Sequence, residues 1–191
     1  AASLRQIGNY IIRNMGTIGG NLCYKPDRLN AFPVCFALNA SAELRTARKS
    51  RWTSFQSFIT KGGKPDIREG EIMTRIRIPL DTWDYAEFKT TNTPFGNTGT
   101  DFSFCGLANV QKQVIQDIRL VFGHVPFGVI RFRDAELQLS GRKLPINFKD
   151  IEGLQEILNT RFSQLSAPLS DVYRRLINNS FQWFLHRISY P

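Results

Sequence analysis

Residues 70–91 read GEIMTRIRIPLDTWDYAEFKTT. Within them Ile72, Thr74, Ile76 and Ile78 alternate with Met73, Arg75 and Arg77, the period of a half-buried strand. Pro79 stops the alternation, and a second extended run, YAEFKTT, opens at Tyr85. The chain therefore changes regime near Pro79 to Trp83, which predicts two units, residues 1–80 and 85–191.

Upstream of the break, residues 11–24 (IIRNMGTIGGNLCY) hold Gly16, Gly19 and Gly20 within five positions, the mark of turns and close backbone approach; a loop is expected. Asn30 is placed to cap a short apolar helix, AFPVCFAL, with Pro33 tolerated in its first turn. ELRTARKSRW (residues 43–52) alternates apolar and polar residues on either side of a polar turn and predicts a hairpin whose tip carries Arg45, Arg48, Lys49 and Arg51. A small mixed sheet is expected in this half. Downstream, FSFCGLANVQK and VIQDIRLVFGHV flank Gln111–Gln113 as an antiparallel hairpin within a meander. Three amphipathic helices follow. RFRDAELQLSG carries Phe132, Ala135 and Leu139 with Gly141 as C-terminal stop; DIEGLQEILNTRFSQL carries Ile151, Leu154, Ile157, Leu158 and Phe162; and SDVYRRLINNSFQWFLHRI sets Tyr173, Leu176, Ile177, Phe181, Phe184 and Ile188 on one stripe behind a Ser170 cap. Strands followed by helices define an α+β fold with helices on one sheet face.

The 191 residues, 42% hydrophobic and 12% aromatic, suffice for a sizeable core and exclude a disordered chain. No run of 18 apolar residues predicts a membrane span, and the first residues lack signal-peptide layout, so a cytoplasmic protein is expected. Cys23, Cys35 and Cys105 are too few and too scattered for a disulfide framework, a zinc cage or an iron–sulfur cluster, and read as small buried apolar residues. The net charge of +9 is concentrated only at the hairpin tip. A solvated basic face fits that distribution better than nucleic-acid binding, which would need a groove-length stripe or a recognisable module.

Catalytic chemistry is hard to build from these residues. His124 and His186 lack an apparent nucleophile or metal partner, the acids at Asp81, Asp84, Asp150 and Glu152 read as caps and turn residues, and no nucleophile elbow, HExxH or P-loop occurs. No catalytic residue and no metal ligand is assigned. What remains is Thr17, Ile18, Gly19, Gly20 and Asn21: adjacent glycines permit close approach, and successive N–H groups in a turn form a nest suited to a pyrophosphate. A tight turn between core elements explains the same residues.

IIRNMGTIGGNLC resembles the second flavin-binding motif of the molybdenum-containing hydroxylases: xanthine dehydrogenase, aldehyde oxidase, carbon monoxide dehydrogenase and relatives. The stretches that follow are similar to the same family in the same order: ALNASAEL, SFQSFI, GEIMTRIRIP, EFKTT, then LVFGHVPFGVIRFRDAELQLSGRKL against FGG…P.RA…E..L.G, and LSDVYRRLINNSFQWFLHRI against the closing SAEYRR.L helix. The resemblance implies the second half of a flavin-binding lobe followed by a C-terminal antiparallel sheet packed with helices, the cap. It implies that Thr17 through Asn21 meet the FAD pyrophosphate and ribityl region, that Ile7 packs near the cofactor, that Asn30 stands where many members have aspartate, that Met73 replaces a leucine against the flavin, and that Lys89 is the flavin-facing lysine. TNTPFGNTGTDF departs from the family's arginine-containing loop, with Asp101 at an acidic position.

By the same resemblance the chain is an FAD-containing, electron-passing component, not active alone. A further N-terminal FAD subdomain, a molybdopterin subunit and iron–sulfur clusters would lie on partner subunits or domains, and electrons would leave through FAD to an acceptor such as NAD or oxygen. The reading of a different class is a basic, non-enzymatic binding module whose glycine loop is structural.

Overall fold

The structure, a computed structural model, describes residues 2–5, 10–24, 31–60, 64–91, 102–125, 128–165 and 169–190. Short helices α1 (Ala2–Arg5), α2 (Tyr10–Met15), α3 (Ile18–Cys23) and α4 (Ala31–Ala37) precede a sheet of β1 (Ser41–Arg45), β2 (Ser50–Ser54) and β3 (Ile72–Arg77). A second sheet follows, of β4 (Tyr85–Thr91), β5 (Phe102–Gln111), β6 (Val114–Val125) and β7 (Gly128–Arg131), and the chain closes with α5 (Arg133–Leu139), α6 (Phe148–Ser163) and α7 (Asp171–Ser189). The α+β class and the antiparallel cap with its helices are thus as the sequence reads.

The first sheet, in the order β2-β1-β3, is antiparallel at both ladders and so is not mixed. Ala42 and Leu44 of β1 point inward onto Leu22, Phe32, Phe55 and Phe58, a core of tilted and edge-on rings. On β3 the alternation read from the sequence is broken by a bulge. Glu43 pairs with Arg75 but Leu44 pairs with Met73, so Thr74 is the extra residue. Met73 and Ile76, three apart, therefore share the inner face, and Ile72, expected inside, is 66% exposed. One inserted residue flips every side chain beyond it.

The second sheet is a sequential meander, β4-β5-β6-β7. Lys112 and Gln113 both take positive φ (50° and 61°), the two-residue turn that matches strand twist. Its faces divide by alternation. Phe88, Cys105, Leu107 and Val121 face α4, whereas Phe102, Phe104, Ile118, Leu120 and Phe122 face α5 to α7. Gly106 is where α7 comes closest, since a Cβ there would lie 2.9 Å from the Phe184 ring. Ser170 sits at the N-cap of α7 with extended backbone, yet its side chain makes no capping bond; Asn147 does cap α6, accepting from Asp150 N–H at 2.8 Å. Cys35 and Cys105 are buried, and burial pushes their thiols up to about 11 and about 12; Cys23 is only half-buried, against expectation.

Arg51, expected at the hairpin's basic tip, instead turns under the sheet. Its guanidinium donates to both Glu71 oxygens at 2.8 Å and to Asp66 Oδ2 at 2.9 Å. That bidentate pair, with the Arg68 N–H donating at 2.9 Å, holds the Glu71 carboxyl down at about 2. The folded value lies below the ordinary one of 4.5, so this contribution to stability is complete above pH 4.5 and is lost as the pH falls toward about 2. Glu71→Gln should flatten the acid limb of a melting-temperature profile between pH 5 and pH 2, roughly the window between the two values. An acid limb as steep as wild type would assign the loss to other carboxylates.

Candidate cofactor-binding surface

The glycine-rich stretch is helical rather than a loop. Thr17 has extended backbone (φ −111°, ψ 152°) and its hydroxyl accepts the Gly20 N–H at 3.0 Å, the bond that starts α3. A cap of this kind offsets glycine's poor helix propensity, roughly 1 kcal/mol per residue. Six residues with two glycines present almost no apolar stripe, so periodicity does not reveal this helix; a threonine at the cap position is the one local signal.

The two glycines differ in what they are for. A Cβ at Gly20 would press on Thr17 Oγ1 at 3.1 Å, so the cap itself favours glycine there. A Cβ at Gly19 would meet nothing within 4 Å, and neither residue has positive φ. No described neighbour therefore requires glycine at 19. A bare backbone facing open space, with the N–H groups of Ile18 and Gly19 lacking intrahelical acceptors, is a surface that a phosphate-bearing ligand can approach closely. On these donors, the residues fit the pyrophosphate of a dinucleotide.

Asn21 has a structural partner as well: its Oδ1 accepts the Ala31 N–H at 3.2 Å, tying α3 to the start of α4. Leu22 is fully buried beneath it. α4 in turn is fixed on the second sheet at Gly123, where any Cβ would run into the Pro33 ring and the Ser103 hydroxyl. Its carboxyl end is held by Arg119, whose Nη1 donates to Ala37 O at 2.9 Å while the guanidinium lies 4.5 Å from the Trp83 ring centroid. The glycine-bearing helix thus stands on a braced element.

Met73 is half-buried beside the first core, on the inner face of β3. Lys89 lies elsewhere: it is on the face of β4 turned toward α7, with its Nζ 3.1 Å from the centroid of the Trp183 ring. A recess of about 260 Å³ adjoins it, lined by Thr91, Phe102, Leu176 and Asn179 among others. The described contacts bring Thr17, Gly20 and Asn21 together, but none joins Lys89 to them. In the sequence Trp183 is only one position of a helical pattern, since nothing there connects it with a lysine 94 positions earlier. Ile7, Asn30 and Asp101 lie outside the described residues.

Residues 1–81, which hold this helix and the first core, match the family model described as the FAD binding domain in molybdopterin dehydrogenase. The chain is 29% identical over 179 residues to the glyceraldehyde dehydrogenase medium chain of Sulfolobus acidocaldarius, covering 90% of this chain and 60% of that one. It is 30% identical over 153 residues to the nicotine 6-hydroxylase medium subunit of Paenarthrobacter nicotinovorans, covering 75% and 50%. The fold superposes on the crystal structure of quinoline 2-oxidoreductase from Pseudomonas putida 86 with a TM-score of 0.74 at 19% identity, over 98% of this chain and 64% of that one. The chain thus spans half to about two thirds of the length of these proteins, and the resemblance read from the sequence is borne out. Among the described residues no helix is long and apolar enough to cross a membrane.

Proposed function

We propose that this chain is part of the FAD-binding, electron-transferring component of a molybdopterin-dependent dehydrogenase or hydroxylase. The observation that carries this reading is the match of residues 1–81 to the FAD-binding domain, with Gly19 inside it left open to approach by a ligand. When bound, FAD supplies the redox chemistry that no side chain here can supply. The chain's own part is to bind and orient it. Ile18 and Gly19 offer backbone donors, Thr17 and Asn21 fix the helix that carries them, Gly20 keeps the cap short, and Met73 gives apolar contact. Lys89 contributes a cation, and Ile7 and Asn30 join the set on the resemblance alone. A further N-terminal FAD subdomain would complete the site, molybdopterin and iron–sulfur clusters would lie on partner subunits or domains, and the acceptor would be one such as NAD or oxygen. The domain limits 1–80 and 85–191 are part of the same reading.

Gly19→Ala tests it with effects of opposite sign. Alanine raises helix propensity by up to about 1 kcal/mol, so the melting temperature should rise. The added methyl should at the same time weaken FAD binding by about tenfold, equivalent to ~1.4 kcal/mol. Flavin absorbance of the purified protein after removal of free flavin, with FAD titrations of both forms, provides the measurement. A purely structural glycine would show the stability gain with no change in FAD affinity, and a protein that never takes up FAD would instead be the basic binding module.

A further inference from the structure

The solvent face of the first sheet is not an ordinary polar exterior. Because Ala42, Leu44, Met73 and Ile76 point inward, Glu43, Arg45, Trp52, Ile72, Arg75 and Arg77 point out together. Trp52 is 41% and Ile72 66% exposed on this face, one on each strand flanking β1. Arg77 lies over the Trp52 ring, 4.1 Å from its centroid. Glu43 is the one acid on this face, and it is spent internally: it is 6% exposed, accepts the Thr74 hydroxyl at 2.8 Å and faces Arg75 Nε at 3.6 Å. What the face offers to solvent is therefore cationic.

The adjoining hairpin tip adds Arg48 and Lys49 in a turn held by Thr46, whose hydroxyl accepts both of their N–H groups at 3.3 and 3.1 Å. The face and its tip thus carry five cations, Arg45, Arg48, Lys49, Arg75 and Arg77, the last of them stacked on Trp52. Arginine and tryptophan are the side chains that concentrate binding energy in protein interfaces, and a guanidinium already stacked on an indole has lost much of its freedom before it meets a carboxylate.

We propose that this face docks an acidic protein surface on a partner subunit of the assembly, an inference that rests on the flavin-component reading above. Charge complementarity sets the partner's sign. Three strands ~4.8 Å apart and about five residues long at ~3.4 Å each make a patch of about 14 by 17 Å, a part of the ~800 Å² that one partner contributes to a standard interface. The same patch spans only about half of the ~34 Å turn of a DNA duplex, and Arg77 covers the indole face on which a single-stranded base would stack. A protein surface is therefore the better match.

The test uses the purified protein co-produced with its assembly partners. Sedimentation velocity gives the subunit affinity, and absorbance gives the flavin content. Arg75→Glu with Arg77→Glu should weaken assembly at least tenfold and leave FAD content unchanged, and raising salt from 0.05 to 0.5 M should weaken wild type far more than the variant. Trp52→Ala should also weaken assembly. The neutral pair Arg75→Gln and Arg77→Gln, which introduces no repulsion, should fall between wild type and the glutamate pair at an unchanged melting temperature. Assembly indifferent to all three variants, with FAD retained, overturns the docking face and leaves the flavin reading standing. Wild type without FAD overturns both. Binding of a 30-base-pair duplex at 0.15 M salt that the glutamate pair abolishes, with assembly untouched, replaces the protein partner by nucleic acid.

Discussion

Glu136→Gln should lower the stability of the folded chain by about 3–5 kcal/mol, the range for breaking one partner out of a buried ion pair. Glu136 and Arg131 have side chains only 7% and 11% exposed, and they meet at 2.8 Å. The carboxylate also accepts the Leu120 N–H at 2.8 Å, so one group serves helix α5, strand β7 and the backbone of β6. Removing its charge leaves a buried guanidinium that still donates to Asn39 Oδ1, at 3.3 Å, but has lost its counter-charge. Urea unfolding of variant and wild type measures the loss. Arg131→Met combined with Glu136→Leu should recover only part of it: apolar replacement of a whole buried pair is commonly neutral or better, but the Leu120 N–H loses its acceptor, at a cost of about 1–3 kcal/mol. A single variant within 1 kcal/mol of wild type, on the order of an exposed pair, would mean that solvent already reaches this site.

Phe184→Ala should cost a comparable amount, about 3–5 kcal/mol. The ring is fully buried, edge-on to Phe104 at 5.7 Å, and fills the space that Gly106 leaves on β5. The cavity cannot collapse easily, since β5 is the second strand of a four-stranded ladder and cannot move toward α7 without dragging its neighbours. Thermal and urea melts read the loss. The same variant loosens α7 beside Trp183, so the cation–π contact with Lys89 should weaken and Trp183 fluorescence should shift to the red. A melt shifted by less than 1 kcal/mol would show that the helix repacks.

The sequence disclosed most of the cap, because long strands and helices repeat their apolar positions often enough to be counted. α7 shows five turns of one stripe, and β5 and β6 are separated by a turn whose residues are polar. The first half was harder to read for physical reasons. α2 and α3 are six residues each, β7 is four, and none is long enough to display a period. The bulge at Thr74 cannot be seen in a single strand, since it exists only relative to β1. The candidate site was legible as the string Thr17 to Asn21 and through its family resemblance. The role of each residue within it was not: Gly20 answers to a hydroxyl and Asn21 to a backbone amide ten residues on, and both are facts of three-dimensional neighbourhood. Lys89 shows the same limit, because strand parity relative to Phe104 determines which face it occupies.

Helix α4 has two owners. Ala31, Phe32 and Cys35 belong to the core under the first sheet, while Val34, Ala37 and Leu38 at its end lie against Cys105, Leu107 and Val121 of the second. Arg119 reaches across to its last carbonyl from β6. The alignment of the two sheets is consequently written in this seven-residue helix and not in the peptide that joins them. Residues 78–82 include Leu80 at 95% exposure, so this stretch of the covalent connection runs over the outside as a tether before Trp83 packs beside α4. Lengthening that tether, or opening the chain there and rejoining it elsewhere, changes the order of the text without altering the register in which its two halves are bound.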